Sequence, residues 1–217
     1  MKQRALIAGS IIPAVLIIDQ IIKVWVKTHM MLHESIDVTD WCKIMFVENR
    51  GMAFGMSFIG THFLTLFRIV AVIAFFILLI RLIKRRYPVG LIVCLSLVVA
   101  GAAGNIIDNC FYGLCFNEST PFYAGSSPAE YVGFGNGYAG FLSGRVVDMF
   151  YFPFFTWPEW MPLVGGDVFF GAVFNFADAA ISCGAVALLL FYPRYFGAGK
   201  KPAAEGAEQT DKPKEKN

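Results

Sequence analysis

Residues 64–83 read LTLFRIVAVIAFFILLIRLI. The run is apolar nearly throughout and matches the ~20 residues an α-helix needs to cross a bilayer core. A basic cluster, Arg81, Lys84, Arg85 and Arg86, closes it. Working outward, segments at about 5–26 and 89–107 have the same character, and a further one ends near Tyr192. Its start falls anywhere between Asp167 and Asn175, and the later choice puts Asp178 in its first turn. Composition agrees, with 57% hydrophobic residues, 22 Phe in 217 positions and a mean hydropathy of +0.59, against roughly 45–50% apolar for a soluble domain. The chain therefore reads as an all-α polytopic membrane protein with four transmembrane helices, at about 5–26, 64–83, 89–107 and 170–192, in one membrane domain spanning 1–196. Residues 197–217, rich in Gly, Ala, Lys, Glu and Pro, read as a disordered cytoplasmic tail because they cannot bury a core.

Lys2 and Arg4 give the first segment a basic start like a signal peptide's, but its apolar run is long and no small-residue cleavage site follows, so it reads as retained. Lys2, Arg4, the cluster after residue 80, and Arg194, Lys200 and Lys201 all fall on one side of a four-helix topology. The positive-inside rule makes that side cytoplasmic, with both termini inside. The loops at about 27–63 and 109–167 then face outward. The first contains a strand-like patch at 43–47 followed by the turn signal Asn49-Arg50-Gly51, which predicts a small extracytoplasmic β-sheet. The second is an extended outer loop rich in Gly, Pro and aromatics, and Trp157 and Trp160 suit the headgroup region. The net charge of +2 carries no nucleic-acid footprint.

Asp148 and Asp178 both sit beside membrane-grade sequence at this outer boundary, where an unpaired charge costs at least a few kcal/mol. A pair of carboxylates there can share a proton and activate water, because neighbouring carboxylates do not both ionise cheaply. Each also has a plain reading. Asn175 can cap a helix with Asp178 as its acidic third residue, and Asp148 can be a solvated loop end. In the first segment Asp19 and Lys23 stand four apart on one helix face, the spacing of a structural ion pair. A small transporter or channel, with Asp19, Lys23, Asp108 and Asp178 as a charge relay, is the rival reading. The acidic residues cluster toward one boundary and do not track across it.

Five cysteines give little metal signal. Cys94 and Cys183 fall in helical segments as packing residues, Cys110 and Cys115 are placed for a local outer disulfide, and Cys42 would remain free. No HExxH or GxSxG run occurs, and His29, His33 and His62 are scattered, so neither a metal site nor a serine nucleophile is expected.

Five runs appear in order along the chain: Asp19-Gln20-Ile21-Ile22-Lys23, Asn49-Arg50-Gly51-Met52-Ala53-Phe54-Gly55, Gly104-Asn105-Ile106-Ile107-Asp108, Gly144-Arg145-Val146-Val147-Asp148 and Phe174-Asn175-Phe176-Ala177-Asp178. Each alone is weak; together, in this order and topology, they resemble lipoprotein signal peptidase, also called signal peptidase II. The resemblance covers all but the tail. It implies an aspartic endopeptidase of the bacterial cytoplasmic (inner) membrane that removes signal peptides from prolipoproteins, cutting just before a cysteine that carries a diacylglyceryl group. By carry-over, Asp148 and Asp178 are catalytic, Asn49, Gly51, Asn105, Asn175 and Ala177 line or brace the site, and Asp108 supports it. No cofactor is implied. The implied partners are lipid-modified prolipoproteins and membrane lipids, with cyclic peptide antibiotics such as globomycin as inhibitors.

Two departures stand out. The family usually has Arg directly after the aspartate of the third motif, where this chain has Asn109, and Arg145 is the candidate replacement. A long aromatic, Gly-rich insertion, 110–143, separates the third and fourth motifs. It reads either as a lid over the site or as a loose surface loop.

Overall fold

Small residues decide which helix stands in the middle. The computed structural model describes residues 1–49, 61–123 and 125–195, without the side chains of Thr61, His62, Leu64 and Arg194. In chain order the elements are α1 (Lys2–His29), β1 (Ser35–Thr39), β2 (Cys42–Asn49), α2 (Thr61–Lys84), α3 (Val89–Ile107), a π-helical turn (Asp108–Tyr112), α4 (Gly113–Cys115), β3 (Val146–Tyr151), β4 (Phe155–Thr156), β5 (Val168–Phe169), β6 (Val173–Phe174) and α5 (Phe176–Phe191). α3 packs against α1, α2 and α5. Its run of Gly and Ala lets neighbouring backbones come close, the usual device where lipid removes any hydrophobic drive between helices. A Cβ at Gly101 would collide with the backbone carbonyl of Ala177, and one at Gly104 would lie 2.6 Å from Asp19 Oδ2. Half of the most apolar stretch of α3 is buried, against 6% for α2. α2 therefore turns Phe67, Val70, Ile73 and Phe76 outward, as a lipid-facing helix does.

Three apolar clusters hold the molecule. Ala8, Leu79, Ile92, Leu95 and Val99 join α1, α2 and α3. Val15, Ala100 and Ala180 join α1, α3 and α5. At one end of the bundle Val26, Met30, Phe46, Tyr112, Phe116, Val147 and Met149 tie α1 and the end of α3 to a four-stranded antiparallel sheet of order β1-β2-β3-β6. β4 and β5 form a separate hairpin.

The boundaries differ from the sequence expectation in informative ways. α1 runs three residues further at each end, to Lys2–His29, and α2 three further at its start and one at its end, to Thr61–Lys84. The third helix does not stop at 107. It widens into the π turn and continues to Cys115, because Asp108, Asn109, Cys110 and Tyr112 are buried there against partners. The last helix does not start at 170: Val173 and Phe174 pair with Tyr151 and Phe150 of β3, and Asn175 then caps α5. That leaves 16 residues, roughly 24 Å of helix against a hydrocarbon core of ~30 Å. Among the described residues, three helices are long and apolar enough to cross a membrane.

Cys110 and Cys115 form no disulfide; among the described residues every cysteine is free. Five positions along helical backbone give about 7.5 Å of rise, beyond the roughly 4.4–6.8 Å between the Cα atoms of a bridge. The insertion is folded back on its own root. Val132 N donates to Cys115 O, Gly135 N and Gly137 N to Leu114 O, Ala139 N to Gly113 O and Gly144 N to Asn109 O, while Leu32 exchanges backbone bonds with Thr120 and Phe122. Its expectation as a loose loop fails because these bonds and the rings of Tyr112, Phe116 and Tyr131 anchor it. Gly51 and residues 197–217 lie outside the described residues.

Candidate active site

The site begins where the sheet meets the start of α5. Asn175 is extended, its Oδ1 accepts from Asp178 N at 2.8 Å, and Asp178 Oδ2 accepts from Asn175 N at 3.4 Å, a reciprocal cap. The other end of the same amide, Nδ2, donates to Asp148 Oδ1 at 2.6 Å. One buried asparagine thus bridges the two carboxyl groups that the sequence singled out. Strand alternation explains Asp148: Val147 and Met149 point into the apolar cluster under the sheet, so the residue between them faces the opposite way. There it is 3% exposed.

A second asparagine completes the frame. Asn105 Nδ2 donates to Asp178 Oδ1 at 2.8 Å, and its Oδ1 accepts from Lys23 Nζ at 2.7 Å and Asn175 Nδ2 at 3.1 Å. Two donors on that oxygen leave the amide one orientation, with its NH2 toward Asp178. Lys23 also pairs with Asp19 at 3.0 Å and Asp108 at 2.9 Å, so all three of its N–H groups are occupied. Asp19 Oδ1 accepts from Ala177 N at 2.9 Å. Asp108 accepts from Gln20 Nε2 at 2.9 Å and Val147 N at 3.3 Å, and Tyr112 Oη donates to Gln20 Oε1 at 3.2 Å. Asn49, opposite Val146 on β2, hydrogen-bonds the Asp148 carboxyl.

Burial first, then the charge of Asp178, pushes the Asp148 carboxyl up to about 7, while the Asn175 bond, Lys23 and the Asn49 bond oppose the shift. Near neutral pH a proton on Asp148 is therefore within easy reach. A water held between such a pair can lose a proton to the ionised partner while the protonated one faces a substrate carbonyl. Among the described residues, no group of three His, Cys, Asp or Glu side chains is arranged to hold a metal ion.

Asp148, Asp178, Asn49, Asn105, Asp108, Asn175, Ala177, Asp19 and Lys23 all come together here. Arg145 does not. Its Nη1 pairs with Glu48 at 3.0 Å and its Nη2 with Glu118 at 2.8 Å, with the guanidinium 5.0 Å over the Tyr138 ring. Glu48 in turn takes Lys27 at 2.5 Å and Ser119 at 2.8 Å. Burial raises the Glu48 carboxyl, but Lys27 and its hydrogen bonds outweigh that and hold it below its usual range. The arginine found near the two aspartates is instead Arg68 of α2, whose Nη1 donates to Asn109 Oδ1 at 3.3 Å. Sequence reasoning passed over it, although a cation inside an apolar span is the signal that would have found it. A charge relay through the bundle finds no support, since Asp19, Lys23 and Asp108 are bonded to one another at one level.

The sequence profile of the family described as "Signal peptidase (SPase) II" matches residues 11–193. "Lipoprotein signal peptidase" of Porphyromonas gingivalis is 45% identical over 215 residues, covering 95% of this chain and 93% of that protein. The protein of that name from Amoebophilus asiaticus is 32% identical, covering 80% and 72%. Two solved structures titled as bacterial membrane enzymes share the fold, with TM-scores of 0.55 and 0.54 at 22% and 24% identity, covering 94% and 88% of this chain and 96% and 92% of theirs. The chain belongs to the signal peptidase II family.

Proposed function

We propose that the protein is an aspartic endopeptidase that cleaves lipoprotein precursors just before the lipid-modified cysteine, with Asp148 and Asp178 as the reacting pair. Its family removes signal peptides from prolipoproteins. The observation that carries the residue assignment is that Asn175 donates to both carboxyl groups, its Nδ2 to Asp148 and its backbone N to Asp178.

Asp178, at the positive end of α5 and accepting N–H donors from Asn105 and Asn175, is the ionised base. Asp148, raised to about 7, is the acid. Asp178 takes a proton from water, the water oxygen attacks the scissile carbonyl carbon, and Asp148 donates its proton to the carbonyl oxygen. The tetrahedral diol collapses as the C–N bond breaks, the leaving nitrogen takes the proton from Asp178 and one diol hydroxyl returns a proton to Asp148, restoring the carbonyl and the starting protonation of the pair with no covalent acyl-enzyme.

The bilayer geometry suits that substrate. α1 has 28 residues, roughly 42 Å, about 12 Å more than the hydrocarbon core. Asp19, to which the start of α5 is bonded, lies ten residues before His29, roughly 15 Å down the helix. With the excess length on the side of the sheet, the dyad falls near the outer edge of the hydrocarbon. The diacylglyceryl chains stay in lipid while the peptide bond reaches the carboxyl groups. The excess of Lys and Arg at the other end makes both termini cytoplasmic.

The test is cleavage of a diacylglyceryl-modified precursor by the purified protein, with and without globomycin. Asp148→Asn and Asp178→Asn, which keep size but remove the acid–base function, should each abolish turnover in inserted, folded protein. Substantial cleavage by either variant overturns the dyad.

A further inference from the structure

We propose that Arg68 is a second cation of the active site beside Lys23, a positioning residue that lies against Asn109 and holds the Asp148 and Asp178 pair in its singly ionised state. The inference rests on the reading of those aspartates as the reacting pair. Arg68 is half-buried on a helix whose neighbouring residues Phe67 and Val70 face lipid, a place where a cation needs a partner. Its Nη1 is bonded to the Asn109 side chain at 3.3 Å, and Asn109 is itself fixed by donating to Gly144 O at 2.8 Å, four residues before Asp148. The acidic groups that act on Arg68 are Asp178 and Asp148.

Charge balance supplies the need. Asp19 and Asp108 share the single ammonium of Lys23, so one further negative charge on the reacting pair leaves the buried cluster short by two cations. The groups around the pair come from every packed element: Lys23 and Asp19 on α1, Asp108 on the π turn, Glu48 on β2, and Arg68 on α2. Glu48 is already held by Lys27 and Arg145. Arg68 is the basic side chain in this set without a carboxylate salt bridge among the described residues. A guanidinium suits the position, being more weakly hydrated than an ammonium and always charged.

The experiment is the pH dependence of kcat/KM for cleavage of a lipid-modified precursor by the full chain in detergent or lipid. A positive charge favours the ionised carboxylate, so its removal should make that carboxylate harder to ionise. Arg68→Gln should move the acidic limb of the profile upward by about one pH unit and lower the rate at pH 6 about tenfold, with a smaller change above the limb. Arg68→Lys should restore much of the limb. Asn109→Arg in the Arg68→Gln background should also restore it, because position 109 touches the place the guanidinium leaves. Arg68→Met gives the same comparison if Gln disturbs insertion. An acidic limb unchanged in both folded Gln and Met variants overturns the proposal, as does an equal shift in Arg145→Gln. If Asp148→Asn or Asp178→Asn retains turnover, the dyad fails first; if both are dead and the Arg68 limb is unmoved, only the role of Arg68 falls.

Discussion

Lys23 and Lys27 stand one turn apart on α1, both fully buried, yet they head two different polar clusters. Lys27 enters a closed set: Glu48 and Ser119 take its charge, Arg145 and Glu118 extend it, and the rings of Phe116 and Tyr138 cover it. Every member comes from the end of α1, from β2 or from the insertion and its root, so this cluster ties the loop to the bundle. Lys23 faces Asp19 and Asp108 together, and its third N–H goes to Asn105, which passes order on to Asp178. The second cluster has more carboxyl groups than ammonium groups. A balanced buried set is structure; an excess of carboxyls, braced by amides so that it cannot relax, is the arrangement that keeps a proton mobile.

The largest effect expected on the reactive cluster is a trade. Asp148→Asn should lose cleavage and gain stability at alkaline pH. The folded-state value of about 7 lies above the ordinary 3.8, so wild-type stability falls as pH rises from about 4 to about 7 and stays low above it, by a few kcal/mol at most. The Asn variant lacks that slope. Thermal unfolding in detergent at pH 5 and pH 8 checks this, and parallel pH responses in the two proteins would count against a buried, raised Asp148.

On the balanced cluster, Lys27→Met should cost about 3–5 kcal/mol, the penalty for leaving one partner of a buried pair, while kcat of the folded fraction stays within a few-fold. Lys23→Met should lower kcat even in folded protein, because the Asn105 amide loses the shorter of the two bonds that hold it and the carboxyl cluster loses its ammonium. Matched losses of kcat in both would erase the distinction between the clusters. Arg145→Gln should cost less, about 1 kcal/mol, since this arginine is partly exposed; limited proteolysis within 117–135 should report it by faster cleavage of the insertion. Removing residues 202–217 should leave precursor cleavage unchanged, since the family match ends at residue 193, and a severalfold loss would give the tail a role.

Much of this was legible in the chain. Composition and run length set the membrane class, and the four-residue spacing of Asp19 and Lys23 corresponds to a pair at 3.0 Å. The two readings of Asp178 turn out to be compatible, because it is the third residue of a capping box and also a member of the carboxyl pair. Such local features depend on helix geometry alone, which periodicity and spacing report directly. Which arginine lies near the two aspartates was decided elsewhere. Arg145 is three residues from Asp148 in sequence but is drawn off by Glu48 and Glu118, while Arg68 arrives from 41 positions before Asn109. The late start of the last helix, where β6 pairs with β3, and the folded insertion are likewise products of pairing between distant segments. Spacing along a chain carries no record of which distant backbone will satisfy an open N–H or carbonyl, and only packing settles that.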